Sequence, residues 1–453
     1  MSRFSRSTIL REGRASLLLA VPLIAGQVSQ MLVGLSDTLM IGRLGVVPLA
    51  AATFANTVLY LPLMFGIGMT MAVSIRVSQA RGAGDPEMAR EALRNGLLIG
   101  LVVGLLTVAV AAAAIPFLGH FGQDPAVTHA AADYFLIVAV SMIPAIGTMA
   151  VKNHADAMAH PWPAFWIMLG GVALNILLNW ILIWGKAGAP ALGLEGAGIA
   201  TLIARAATLA ALVVWCRRSP PIREWVPQHW FRRPCWRSVR SLVAVGWPAS
   251  LQLLAEISAF VMATILIGTM GKEALASHQV AISCAATVFM VPLGLSMALT
   301  VRVGEAWGAG AHARLRPIVA SGWLMVAAFT VVSATAFLSF NDSIAGWFIV
   351  DPGARQLAAA LLIVSAAFQF SDAMQIVSVG ALRGLDDVTV PAWIAVFAYW
   401  GVSLPVGWWL AFPRGWGVTG MWWGITLGLT ITAIALGWRL WKKSAPAAGS
   451  NPV

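Results

Sequence analysis

Three carboxylates stand where carboxylates are costly. Asp37 lies in MLVGLSDTLMIG (31–42), Glu256 in LQLLAEISAF (251–260) and Asp372 in FQFSDAMQ (368–375), each inside an apolar run. If such runs cross a bilayer, a charge at the centre costs about 2.5–3.5 kcal/mol on insertion scales. Acids retained at that cost usually face a bundle interior or a wet cavity and mark an ion or substrate path. The bland alternative is a neutral carboxyl serving as interhelical glue. A fourth run, ALNILLNWILIW (173–184), carries Asn175 and Asn179 four residues apart and so on one helical face. Amides can donate to a carboxylate or accept from a carboxylic acid, so this pair is a natural partner for an acid that changes its protonation state. The chemistry on offer is reversible binding of a positive charge.

The elements that must position these groups are membrane helices. The chain has 453 residues, of which 59% are hydrophobic and 10% charged, and its mean hydropathy is +0.82. A soluble domain carries about 25% charged residues. Twelve apolar spans of about twenty residues or more can be drawn, at 15–41, 47–75, 92–115, 130–151, 162–184, 194–216, 238–267, 273–301, 316–339, 355–380, 389–412 and 417–441. The basic N-terminus and LLLAVPLIAG superficially imitate a signal peptide, but the apolar stretch continues past Met40, so it is read as a retained first helix.

The net charge of +11 would point to nucleic acid in a soluble protein, but the basic residues alternate by loop. Of 29 Lys and Arg, 23 fall in the termini and even-numbered loops; the odd-numbered loops hold Arg43, Lys186, Lys272, Arg355 and Arg414, and Arg205 lies inside a span. The positive-inside rule then places both termini in the cytoplasm. The stretch RRSPPIREWVPQHWFRRPCWR at 217–237 breaks the pattern with four prolines and reads as a cytoplasmic linker between an N-terminal half (1–216) and a C-terminal half (238–453). SAPAAGSNPV, at the end, reads as a disordered tail.

The halves repeat. Moving residues 22–84 by 226 positions gives 18 identities in 63, with Pro22 on Pro248, Gly42 on Gly268 and RVSQARGAG on RVGEAWGAG. Six helices per half make the repeat parallel, with a substrate path expected between the two bundles. The acids break the symmetry, since Asp37 falls on Ala263 and Glu256 on Gln30. Pro22 lies far enough inside helix 1 to remove a hydrogen bond from its ladder, so a kink there could respond to the charge on Asp37. Other chemistries lack their residues: GTMGKE (268–273) is no nucleotide-binding loop, the seven His are scattered, and Cys216, Cys235 and Cys284 form no CxxC pair. The Trp residues, among them Trp408, Trp409, Trp422 and Trp423, are expected at membrane interfaces.

QVSQMLVGLSDTLMIGRLG (27–45), GIGMTMAVSIRVSQARGAGD (66–85), SHQVAISCAATVFMVPLGLSMALTVRVGEAWGAG (277–310) and GALRGLDDVTVPAW (380–393) together resemble the multidrug and toxic compound extrusion (MATE) family, its NorM-like branch most closely. The resemblance covers essentially the whole chain. It implies an all-α polytopic fold of twelve transmembrane helices in two pseudo-symmetric six-helix lobes arranged as a V, in a bacterial inner membrane. It implies export of amphipathic, often cationic drugs and toxins by antiport with H+ or Na+, by a monomer with no cofactor, no nucleic-acid partner and no enzymatic activity. The family's N-lobe proton site matches Asp37, Asn175 and Asn179, and its C-lobe cation site matches Glu256 and Asp372, where Na+ could bind. Sodium-binding relatives often carry a tyrosine one turn before the helix 10 acid; Phe368 here removes that oxygen and leans the expectation toward protons. The alternative, a lipid-linked oligosaccharide or lipid flippase of the same superfamily, calls for basic residues in the lumen, for which Arg205 is the candidate.

Overall fold

The structure is a computed structural model that describes residues 6–122, 124–230 and 232–445. From residue 446 onward the C-terminal tail read as disordered lies outside the described residues. Twelve helices are long and apolar enough to cross a membrane: α1 (Arg6–Gly42), α2 (Val46–Ala83), α3 (Pro86–His120, its last turns 3-10), α4 (Pro125–Ala157), α5 (Pro161–Trp184), α6 (Gly193–Arg218), α7 (Trp236–Gly268), α8 (Lys272–Gly308), α9 (His312–Phe348), α10 (Pro352–Gly384), α11 (Thr389–Ala411) and α12 (Gly417–Lys443). Among the described residues there is no strand.

Three helix starts follow from Asp-Pro pairs. Asp85, Asp124 and Asp351 cap α3, α4 and α10 by accepting from the amides of Met88 (3.0 Å), Ala126 (2.7 Å) and Ala354 (2.9 Å). The proline that follows each takes the first helical position, where its missing N–H is not needed. Several helices outrun the apolar spans. At 38 residues, α2 is about 57 Å long, against a hydrocarbon core of about 30 Å. Lys152 and Arg383, which fall outside the apolar spans, consequently lie in α4 and α10, and both are buried.

Contacts divide the chain into two units, Ala25–Ser250 and Leu251–Val453 joined by Met1–Ile24. The division differs from the sequence halves because it cuts α1 and α7. The start of α1 packs within the second unit. A Cβ on Gly294 of α8 would lie 2.8 Å from the backbone nitrogen of Ile24, and Glu12 is ion-paired with Arg302 of α8 and Arg314 of α9. The start of α7 packs in the first unit by the equivalent contact, with a Cβ on Gly68 of α2 lying 2.5 Å from the Cα of Ser250. Gly68 and Gly294, like Ile24 and Ser250, are repeat-related positions. Glycine at both lets the backbones approach where no side chain fits. Residues of the 217–237 linker belong to the first unit, where the Glu224 carbonyl accepts from Arg90 Nε at 2.7 Å.

Within each unit the fourth helix of the half is central. The most apolar windows of α4 and α10 are both 67% buried, more than any other span. In the second unit the core is alanine-rich, Ala259, Ala263, Ala281 and Ala285 packing with Phe368, Tyr399 and Trp422.

Candidate functional site

The first unit assembles the acid and the asparagines. Asp37 is half-buried on α1, and Asn175 and Asn179 are fully buried on α5. Asn179 Nδ2 donates to Asp37 Oδ1 at 2.7 Å and contacts Asn175 Oδ1 at 3.2 Å. Asn175 Nδ2 in turn donates to the Thr201 hydroxyl on α6 at 3.3 Å, and that hydroxyl donates to the Ala197 carbonyl at 3.0 Å. Only the Asn179 amide donates to the carboxylate; from Asn179 the remaining donors run away from it, through Asn175 and Thr201 to the Ala197 carbonyl. Asn179 Oδ1 is buried without a hydrogen-bond partner among the described residues.

Arg205 belongs to this site. Its guanidinium donates to Ser141 Oγ of α4 at 2.7 Å and lies within electrostatic reach of Asp37 and of Tyr134. Tyr134 is hydrogen-bonded to Asn56 of α2. Asp37 thus faces one neutral amide and one fixed cation. Pro22 stands 15 residues earlier on α1, about 22 Å along the axis, and groups with the other unit. The helix runs unbroken through it from Arg6 to Gly42.

In the second unit the structure brings Glu256 of α7 and Asp372 of α10 within electrostatic reach of each other. Arg383, three turns beyond Asp372 on α10, acts on Glu256 and donates to Gln252 Oε1 at 3.2 Å. Phe368 contributes only its ring, set edge-on to Trp422 at 5.5 Å and to Phe260 at 6.1 Å. A hydroxyl arrives instead from α11. Tyr399, 1% exposed, is hydrogen-bonded to Glu256 and accepts from Gln375 Nε2 at 3.1 Å. Tyr399 sits in a π-helical segment, Phe397–Ser403, in the middle of α11; such segments are rare and concentrate at functional sites. A small cavity within this unit has Asp372, Gln369, Thr330 and Pro292 in its wall.

Trp422 departs from the expectation of an interfacial residue. Trp408, Trp409 and Trp423 are exposed at 42–48%, but Trp422 is 1% exposed and donates from Nε1 to His278 Nδ1 at 3.2 Å. With Nδ1 accepting, Nε2 carries the ring proton and donates to Thr264 Oγ1 at 2.9 Å, and Thr264 donates to the Phe260 carbonyl at 2.9 Å. An indole satisfied in this way is a core residue.

Sequence reasoning missed Tyr399 and Arg383 as site residues. Arg383 carried one signal, a basic residue in GALRGLDD directly after an apolar span. Among the described residues no group of three or more His, Cys, Asp or Glu could hold a metal ion, and all three cysteines are free.

Comparison with known proteins accords with this layout. The MatE family model matches twice, over residues 22–181 and 248–409, the two matches starting at Pro22 and Pro248. A protein of Rhizobium meliloti named as a probable multidrug resistance protein NorM is 35% identical over 445 residues, covering 96% of this chain and 95% of that protein. A protein of the same name from Bradyrhizobium diazoefficiens is 37% identical over 422 residues, covering 92% and 91%. A crystal structure of a Vibrio cholerae MATE transporter superposes with a TM-score of 0.87 at 23% identity, covering 96% of this chain and 98% of that one. A eukaryotic MATE transporter gives 0.87 at 19% identity, with the same coverage of both chains. The chain belongs to the MatE family of membrane transporters, and it is not an enzyme.

Proposed function

We propose that this transporter is a secondary active multidrug exporter of a bacterial inner membrane, moving amphipathic, often cationic compounds outward in exchange for protons. The observation that carries the reading is the surroundings of Asp37. Its carboxyl faces the Asn179 amide at 2.7 Å, an arrangement that serves either protonation state, with Arg205 in electrostatic reach. Antiport needs a ligand-dependent bias between two conformations, and a ligand with equal affinity for both moves nothing. A carboxylate that holds a proton or an organic cation, but not both, supplies that competition. Glu256 and Asp372 form the second such site. The names of the relatives support multidrug export.

Protons are favoured over sodium because Phe368 offers no oxygen beside Asp372, and hard cations need several oxygen ligands. A flippase holding pyrophosphate would need free basic groups. Arg205 and Arg383 each act on an acid, Asp37 and Glu256, and Lys152 is paired with Asp156 at 2.6 Å. In this reading both termini are cytoplasmic, the halves 1–216 and 238–453 are parallel repeats, and the monomer is the working unit because each acid site is complete within one chain.

The test is efflux of a fluorescent cationic dye from proteoliposomes under a proton gradient alone or a sodium gradient alone, for the wild type, Asp37→Asn and Glu256→Gln. The proposal expects the proton gradient to suffice and Asp37→Asn to abolish transport. Export driven by sodium alone, with Glu256→Gln the disabling change, would reject it.

A further inference from the structure

We propose that Gln375 and Tyr399 form a hydrogen-bond relay that reads the protonation state of Glu256 on α7 and passes it to α10 and the π-helical segment of α11. The inference rests on the proton-coupled reading above and adds a route by which the bound proton changes helix packing.

The argument begins with donors and acceptors. An ionised carboxylate only accepts, so beside ionised Glu256 the Tyr399 hydroxyl must donate. The phenol oxygen is then free to accept, and it accepts from Gln375 Nε2 at 3.1 Å. This arrangement leaves Gln375 Oε1 buried without a partner among the described residues, a condition that carries a desolvation penalty.

Protonation of Glu256 inverts the requirement. The new carboxylic O–H is a donor, and the Tyr399 phenol oxygen already hydrogen-bonded to Glu256 can accept it. When that O–H donates to the phenol oxygen, the phenol hydrogen turns away from Glu256, and the unpartnered Gln375 Oε1 receives it once the amide turns over. One proton arrives at Glu256, the Tyr399 proton stays on its own oxygen, and both hydrogen bonds reverse direction. The orphaned carbonyl of the first state is satisfied in the second, so the two protonation states favour different amide orientations on α10.

The surroundings make the relay directional. Trp400, next in sequence, donates from Nε1 to the Ala255 carbonyl at 3.2 Å, fastening the π-helical segment to α7 beside Glu256. Ser403, four residues after Tyr399 in the same segment, has a buried hydroxyl oxygen with no partner among the described residues. The charged and titratable groups facing Glu256 are Asp372 and Arg383 of α10 and Tyr399 of α11. From α8, His278 is turned instead to Thr264 and Trp422.

The test is dye efflux from sodium-free proteoliposomes holding the full chain, measured across a range of external pH, for the wild type, Glu256→Gln, Tyr399→Phe, Gln375→Met and the Tyr399→Phe/Gln375→Met double variant. Tyr399→Phe removes one donor to an ionised acceptor, so the midpoint of the pH profile is expected to move alkaline by about one pH unit. Gln375→Met is expected to move the midpoint as well, and the double variant to match Tyr399→Phe alone, because Gln375 acts on Glu256 only through the Tyr399 hydroxyl. If both single variants lower the rate at every pH without moving the midpoint, while Glu256→Gln does move it, the side chains are structural and the relay is overturned although proton coupling stands. If the wild type shows no pH dependence, the coupled reading fails and the relay fails with it; if Glu256→Gln leaves the profile unmoved, the relay fails while coupling through Asp37 stands.

Discussion

The Asn179 amide reaches the Asp37 carboxylate at 2.7 Å from a helix 142 residues away in sequence, and the same nitrogen contacts Asn175 Oδ1 at 3.2 Å. One side chain therefore links the acid of α1 to the polar row running through α5 and α6. Replacing it with leucine keeps the branching at Cγ and removes the link. Asn179→Leu is expected to lower proton-driven efflux about 10- to 100-fold, the equivalent of a hydrogen bond to a charged group. Asn175→Leu, one step further from the acid, is expected to cost less. Initial efflux rates at matched protein density check the order, and equal losses for the two would contradict it.

Glu12 is 3% exposed and ion-paired with both Arg302 and Arg314. Removing one partner of a buried pair leaves charge uncompensated, at a cost of about 3–5 kcal/mol. Glu12→Gln is thus expected to lower the thermal midpoint of the purified protein markedly, whereas Asp342→Asn, which breaks the exposed pair with Arg355, is expected to leave it nearly unchanged. A Glu12→Gln protein that melts with the wild type would show that the start of α1 is held by apolar packing alone.

A valine at Gly294 would bring Cβ within 2.8 Å of the Ile24 backbone nitrogen, and a valine at Gly68 would bring it within 2.5 Å of the Ser250 Cα. Neither backbone can yield without moving a helix. Both variants are expected to lose about 1–3 kcal/mol or more and to express poorly. Gly34→Val, on the same α1 but with nothing within 4 Å of the added carbon, is the control and is expected to behave as wild type.

Pro22 withholds a backbone donor from α1 near the point where the helix passes from one unit to the other. Pro22→Ala restores that hydrogen bond and stiffens the helix. The expected result is a protein at least as stable as wild type that transports more slowly under a proton gradient. Unchanged gradient-driven efflux would separate Pro22 from the coupling to Asp37.

The apolar runs, the loop charges and the 226-residue repeat made twelve helices legible, because hydropathy and period are local properties of a chain. Asp37, Glu256 and Asp372 were legible for the same reason, each a charge in an otherwise apolar run. Asn175 and Asn179 were legible through their spacing. Tyr399 was not. Its hydroxyl meets an acid 143 residues away in sequence, and in FAYWGVS it looks like one more interfacial aromatic. Trp422 misled for the converse reason: burial depends on which neighbour covers a side chain, and composition does not say. The exchange of the starts of α1 and α7 was equally hidden, since the contact of Gly294 with Ile24 exists only in three dimensions.

The central claim is that drug and proton compete for the same carboxyls. Its most direct test is to count protons released when a cationic dye binds the purified protein, by titration calorimetry in buffers of differing ionisation enthalpy at a single pH. The account predicts release of at least one proton per dye bound at a pH where the acids carry protons. That release should fall to zero in the Asp37→Asn/Glu256→Gln/Asp372→Asn variant. Dye binding to the wild type with no proton released at any pH would contradict it.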